Sequence, residues 1–171
     1  MNLIIKKLNQ SLYLYLSKIR FIMINKKFIY DDLLLNLNEK LNSIEFLIIS
    51  AIESRDSDSK SSAGDKHETS RAKIQLEIDN YSKQKLNIIK KLKVLESIDI
   101  NKKNNKVENG ALVETNVGFF FIAIGLGRWT VNSKQIFVIS VASPIGKLMK
   151  DKVATSSFRF RNLNYRITKI I

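Results

Sequence analysis

The sequence predicts an α+β protein: an N-terminal antiparallel α-helical coiled-coil hairpin followed by a small antiparallel β domain with one short helix. Three observations carry that expectation. Apolar residues recur twice at heptad spacing, a serine-rich acidic stretch separates the two runs, and the composition turns to β-type segments after residue 100. The spacing divides the chain into an N-terminal basic and apolar extension (1–29), the hairpin (30–100), a polar linker (101–110) and the β domain (111–171).

In the first helical segment Leu34, Leu37, Leu41, Ile44, Ile48 and Ala51 step by three and four residues in turn, the a/d seam of a coiled coil. A second seam runs through Ile74, Ile78, Tyr81, Ile88, Leu92 and Leu95. Its missing step falls at Lys85, where Leu86 is expected to take over the packing. Neither segment contains proline. Between them, RDSDSKSSAGD is rich in serine and aspartate, which compete with the helix for backbone hydrogen bonds. Two matched seams with a short polar link predict an antiparallel pair, a rod of about 40 Å at ~1.5 Å per residue. The link is then its tip.

The β half reads as the runs ALVET, GFFFIAIG, QIFVISV, SFRFRN and NYRITKII. GFFFIAIG is expected as a core strand rather than a binding surface. SFRFR alternates, which buries one face and turns Arg159 and Arg161 outward. SPIGKLMK (143–150) opens with Ser143 as an N-cap and Pro144 at the first helical position, the expected short helix.

Composition excludes several classes. The chain has no cysteine and one histidine, His67, so disulfide frameworks, thiolate sites and multi-histidine metal centres are out. The formal charge is +13, unevenly spread. Residues 31–100 carry eleven basic and thirteen acidic side chains, whereas residues 101–171 carry twelve and three. That asymmetry suggests an anionic partner for the C-terminal part. The first twenty-odd residues are apolar, but Lys6, Lys7, Lys18 and Arg20 interrupt any run of the ~18 residues needed to span a bilayer. They fit neither a membrane span nor a signal peptide, and they read as an amphipathic helix or an extension upstream of a start at Met23. The expectation is a cytoplasmic monomer. No Walker loop, dinucleotide fingerprint or nucleophile–base pattern marks an enzyme, and GLG at 125–127 is too short for a phosphate loop.

From IFVISV onward the chain resembles the C-terminal domain of the bacterial GreA/GreB transcription elongation factors, in which an Ile-Ser-x-x-Ser-Pro-Ile-Gly segment ends a strand and opens a short helix. The order of elements over residues 30–171 is similar too, and Gly64-Asp65-Lys66-His67-Glu68-Thr69 stands where those factors carry Gly-Asp-x-x-Glu-Asn at the hairpin tip. The resemblance implies an FKBP-like β domain and a hairpin that enters the secondary channel of RNA polymerase. It implies that Ser143 and Pro144 meet the channel rim, and that Asp65 and Glu68 help hold a second Mg²⁺ at the polymerase active site. Cleavage of backtracked RNA would follow, with no cofactor bound by the chain alone. Nucleic acid would be reached only through the elongation complex.

From spacing alone, Asp65 and Glu68 also read as an N-cap and N3 capping pair. Asp56, Asp58 and His67 read as solvated tip residues. Two departures stand out. Lys66 lies between the tip acids, where it competes with a metal, and Thr69 replaces the asparagine. Lys150-Asp151 and Ala154-Thr155 lack the two glycines the resemblance calls for, so the turn is expected to take a different backbone conformation. Two other functions stay open: a channel-binding regulator without cleavage, favoured by Lys66, and a coiled-coil adaptor unrelated to polymerase.

Overall fold

The computed structural model describes residues 25–57 and 64–171, with the side chains of 64–67 outside that description. The arrangement is α+β. Helix α1 (Lys26–Ser57) and helix α2 (Gly64–Glu96) are followed by six strands and a short helix. The strands are β1 (Leu112–Thr115), β2 (Gly118–Ile122), β3 (Gly127–Val131), β4 (Lys134–Ile139), β5 (Ser157–Phe160) and β6 (Leu163–Ile170), with α3 (Pro144–Met149) after β4. Two compact units result. Asp31–Asp99 forms one; Ile100–Ile171 forms the other, together with residues 25–30.

In the first unit the two helices run for 32 and 33 residues, about 50 Å each. Glu45 meets Lys85 at 2.8 Å, and ten residues further along α1, Arg55 donates to Gln75 at 2.8 Å, ten residues back along α2. That equal and opposite stepping fixes an antiparallel register. It sets Leu37 against Leu92, Leu41 against Ile88, Ile48 against Tyr81 and Ala51 against Ile78, seam to seam. Leu37, Ile44, Ile78, Leu92 and Leu95 are buried, and Leu33 rather than Leu34 fills the first layer.

The gap at Lys85 is filled differently from the sequence expectation. Leu86 is 59% exposed and takes no part. Lys85 keeps the seam position itself, its aliphatic stem in the layer of Ile44 and its ammonium on Glu45. A long side chain with a charged end can do both; a leucine one position round the helix faces water.

The sheet of the second unit is mixed, in the order β3-β4-β2-β1-β6-β5. Its pairs are antiparallel except β2 with β4, which run parallel from Phe119 opposite Ile136 to Ile122 opposite Ile139. One face packs Val113, Phe120, Ile122, Ile139, Met149, Tyr165 and Ile167 into a core. The alternate residues Leu112, Phe121, Ile136 and Val138 are also fully buried, so the central strands are covered on both faces. This is why GFFFI is unbroken hydrophobic sequence. Strand β3 has no counterpart among the expected runs. It is an edge strand with only Val131 buried, and so lacks the alternation that marks a half-buried strand. Its one signal is the two-residue turn Asn132-Ser133, where both φ angles are positive (48° and 60°).

Residues 101–110 were expected to be a free linker. They are instead stitched into the β unit. Val107 is 1% exposed, its N–H donates to the Lys152 carbonyl (2.8 Å), and its carbonyl accepts from Asp151 N–H (2.9 Å). Lys106 pairs with Asp151 at 2.6 Å. The apolar Val107 is the reason the segment docks; its polar neighbours hid it.

The same contacts settle the glycine-free turn. Asp151 and Thr155 adopt φ of 59° and 74°, so the left-handed backbone that glycine favours is present without glycine. Thr155 N–H is held by the Ile167 carbonyl at 2.9 Å, and Asp151 by Val107. Backbone partners in β6 and in the 101–110 segment impose the conformation, and β-branched Thr155 bears a cost of about 1–2 kcal/mol. Thr155→Gly is therefore expected to raise stability by about 1 kcal/mol, read as an upward shift of several degrees in the thermal midpoint. An unchanged or lower midpoint would show that Thr155 carries no strain.

Candidate functional site

Three places merit attention: the tip, the corner at Ser143 and a lysine-lined cleft. At the tip, α2 already includes Gly64, so Asp65 lies in its first turn rather than at an N-cap. Glu68 follows three residues later and is exposed. Positions i and i+3 lie on one side of a helix, and acids favour its positive end. The side chains of Asp65, Lys66 and His67, and all of Asp58, fall outside the described residues. Among the described residues no group of three His, Cys, Asp or Glu side chains could hold a metal ion. Two carboxylates suit Mg²⁺, which keeps several waters, only if another molecule supplies further ligands.

The antiparallel register adds a placement that spacing did not give. Continued from Arg55 and Gln75, it sets Ser57 beside Lys73. Residues 64–72 of α2, Asp65 and Glu68 among them, therefore precede the stretch that pairs with the described part of α1.

At the corner, each conspicuous residue of Ser140-Val141-Ala142-Ser143-Pro144-Ile145-Gly146 has a structural task. Ser143 Oγ donates to the Ser140 carbonyl (2.7 Å) and accepts from Gly146 N–H (3.1 Å). It closes the end of β4 and caps α3 with one hydroxyl. Pro144 occupies the first helical turn. A Cβ on Gly146 would stand 2.1 Å from the Ser140 carbonyl oxygen, so only glycine permits the approach. Ser143 is thus committed to the fold. Pro144, Ala142 and Leu148 are exposed and are the atoms the corner offers to a partner.

The cleft escaped sequence reasoning because its key residue reads as one of two solvated lysines. Lys26, in the first turn of α1 behind its N-cap Asn25, is only 6% exposed. Its ammonium donates to the Lys102 carbonyl (2.7 Å) and to Asn104 Oδ1 (2.8 Å), with the Ile171 carbonyl at a long 3.5 Å. Asn104 in turn donates to Glu108, which also pairs with Lys102 at 2.9 Å. These two hydrogen bonds, Lys102 first, hold the Glu108 carboxyl below its ordinary 4.5. Its contribution to stability is therefore present above that value and lost as pH falls through the lowered one. The cleft beside this network encloses about 730 Å³ and is rimmed by Lys27, Lys102, Lys103 and Lys169.

No protein-family model matches the chain, and comparison with characterised proteins and with solved structures returned no match. Among the described residues no helix is long and apolar enough to cross a membrane.

The corner gives a direct test of which residue serves the fold. Ser143→Ala is expected to cost about 1–2 kcal/mol in denaturant unfolding, because two hydrogen bonds and a cap disappear. Pro144→Ala should stay within about 1 kcal/mol. Equal effects would mean that the hydroxyl is not the closure.

Proposed function

We propose that the chain is a Gre-like transcription factor that engages RNA polymerase through the secondary channel and delivers Asp65 and Glu68 towards the polymerase active site. The observation that carries this reading is the combination of two features in one order. An antiparallel hairpin with Gly64-Asp65-x-x-Glu68 at its turn precedes a strand–corner–helix of sequence Ile-Ser-x-x-Ser-Pro-Ile-Gly. Two carboxylates are insufficient as an isolated metal site and useful as ligands offered to a site completed elsewhere. The chain is then an accessory factor, not an enzyme.

A Mg²⁺ ion shared with the polymerase would help stabilise the attacking and leaving oxygens of the phosphodiester. The part of this chain is to carry two carboxylates to that place on a stiff support. Exposed Pro144 and Leu148 are the groups it offers to the channel rim. The charge of Lys66 between the acids supports a second reading, in which the tip occupies the channel without promoting cleavage.

A stalled, backtracked elongation complex with Mg²⁺ separates these readings. Under the first, saturating protein shortens the RNA faster, and Asp65→Ala with Glu68→Ala lowers the acceleration by roughly tenfold or more while binding persists. Binding without acceleration supports the second reading and sinks the first. Absence of polymerase subunits from a pull-down sinks both and leaves the coiled-coil adaptor.

A further inference from the structure

The hairpin formed by β5 and β6 has two unlike faces. On one, Phe158 stacks on Tyr165 at 5.0 Å, and Phe160 and Ile167 join the core. On the other, Ser157 lies opposite Arg166 and Arg159 opposite Asn164, all four exposed. Arg161 occupies the turn between the strands, its guanidinium 5.4 Å from the Phe160 ring centre. Thr168 and Lys169 continue the exposed face along β6, past a register shift opposite Glu114. Lys169 then joins the rim of the cleft with Lys27, Lys102 and Lys103.

The result is a cationic track along β6. Its eight residues span about 25 Å, the rise of roughly seven nucleotides of one strand in a duplex. Residues 101–171 hold three acids: Glu108 and Asp151 are paired with Lys102 and Lys106, and Glu114 lies opposite Lys169 on β1, away from the arginines. Among the described residues no carboxylate pairs with Arg159, Arg161 or Arg166. General lysine richness does not account for the patch: the chain has seven arginines, and three of them fall between positions 159 and 166.

The face is also rigid. Asn116 Oδ1 accepts from Arg166 N–H (2.8 Å), and its amide donates to the Asn164 carbonyl (3.1 Å), bracing β6 from the turn between β1 and β2. The braced strand fixes the backbone spacing of the arginines, so binding has only their side chains to order.

We propose that this outward face of β5–β6, continued by Lys169 and the lysine rim of the cleft, binds the phosphodiester backbone of a nucleic acid directly. The chemistry selects that occupant. Arginine forks match phosphate oxygens, and the Ser157 hydroxyl and the Asn164 amide are the usual supplementary donors. A protein interface needs an apolar centre, and a membrane surface needs apolar side chains interleaved with the cations. On this track the exposed apolar residues are Leu163, at the β5–β6 turn among the arginines, and Ile171 at the far end of β6; they are too far apart to form an apolar centre. No aromatic ring is offered for base stacking, so binding is independent of sequence. The proposal stands apart from the polymerase reading and survives its failure.

The test uses the full chain and fluorescence anisotropy with labelled 20-mers of single-stranded RNA, single-stranded DNA and duplex DNA over stepped KCl. The triple variant Arg159→Gln, Arg161→Gln, Arg166→Gln is expected to bind at least about tenfold more weakly at 100 mM salt. Its log–log salt slope should be shallower by about 2–3, at 0.7–0.9 per phosphate contact. A charge-matched triple on the exposed side of α2, Lys73→Gln, Lys83→Gln, Lys93→Gln, should stay within about twofold of wild type. Preference for RNA or DNA identifies the source of the phosphates, and either supports the proposal. If the arginine triple unfolds, Arg159→Gln and Arg166→Gln singly should each lower the slope by about one. Equal losses in the two triples overturn the proposal. So does wild-type protein that binds no oligonucleotide, or that binds anionic phosphatidylglycerol vesicles in their place.

Discussion

Everything the first unit can do depends on the meshing of two apolar stripes in one antiparallel register. A helix of 33 residues gains little from its own hydrogen bonds in water. It persists because Ile78, Leu92 and Leu95 are covered, and Leu37 and Ile44 need the same cover from the opposite side. The register is then held by polar contacts at its margins, Glu45 with Lys85 and Arg55 with Gln75. Such exposed pairs contribute little energy each. Their value is selection: a slip of one heptad leaves both unmet.

That constraint gives the acidic tip its physical meaning. Carboxylates on a loop would be placed loosely, whereas carboxylates in the first turns of a packed helix are placed by every layer below them. The second unit follows a comparable economy. Ser143, Pro144 and Gly146 make one corner do three jobs, ending β4, capping α3 and allowing the close approach to Ser140. Because the corner serves the fold so fully, its residue pattern reports architecture first. A partner reads only what is left exposed around it.

Much of this was legible in the sequence, and the failures have physical causes. The two seams, the break between them, the core strand GFFFI and the capped helix at Ser143 all followed from period and punctuation. Strand β3 was not legible because an edge strand with one buried residue shows no alternation. Lys26 was invisible because burial of a lysine is decided by carbonyl and amide oxygens seventy-odd residues away. Likewise the left-handed turn at Asp151 and Thr155 was hidden, since backbone partners distant in sequence and not local residue type impose it.

The most direct measurement places a photo-crosslinking residue at Thr69, next to Glu68 near the start of α2, in a halted RNA polymerase elongation complex. The account predicts a crosslink to the polymerase segment that borders its catalytic Mg²⁺, with the same label at exposed Glu77 reacting elsewhere along the channel. A protein that co-purifies with polymerase yet gives no crosslink from Thr69 near the active site would contradict it.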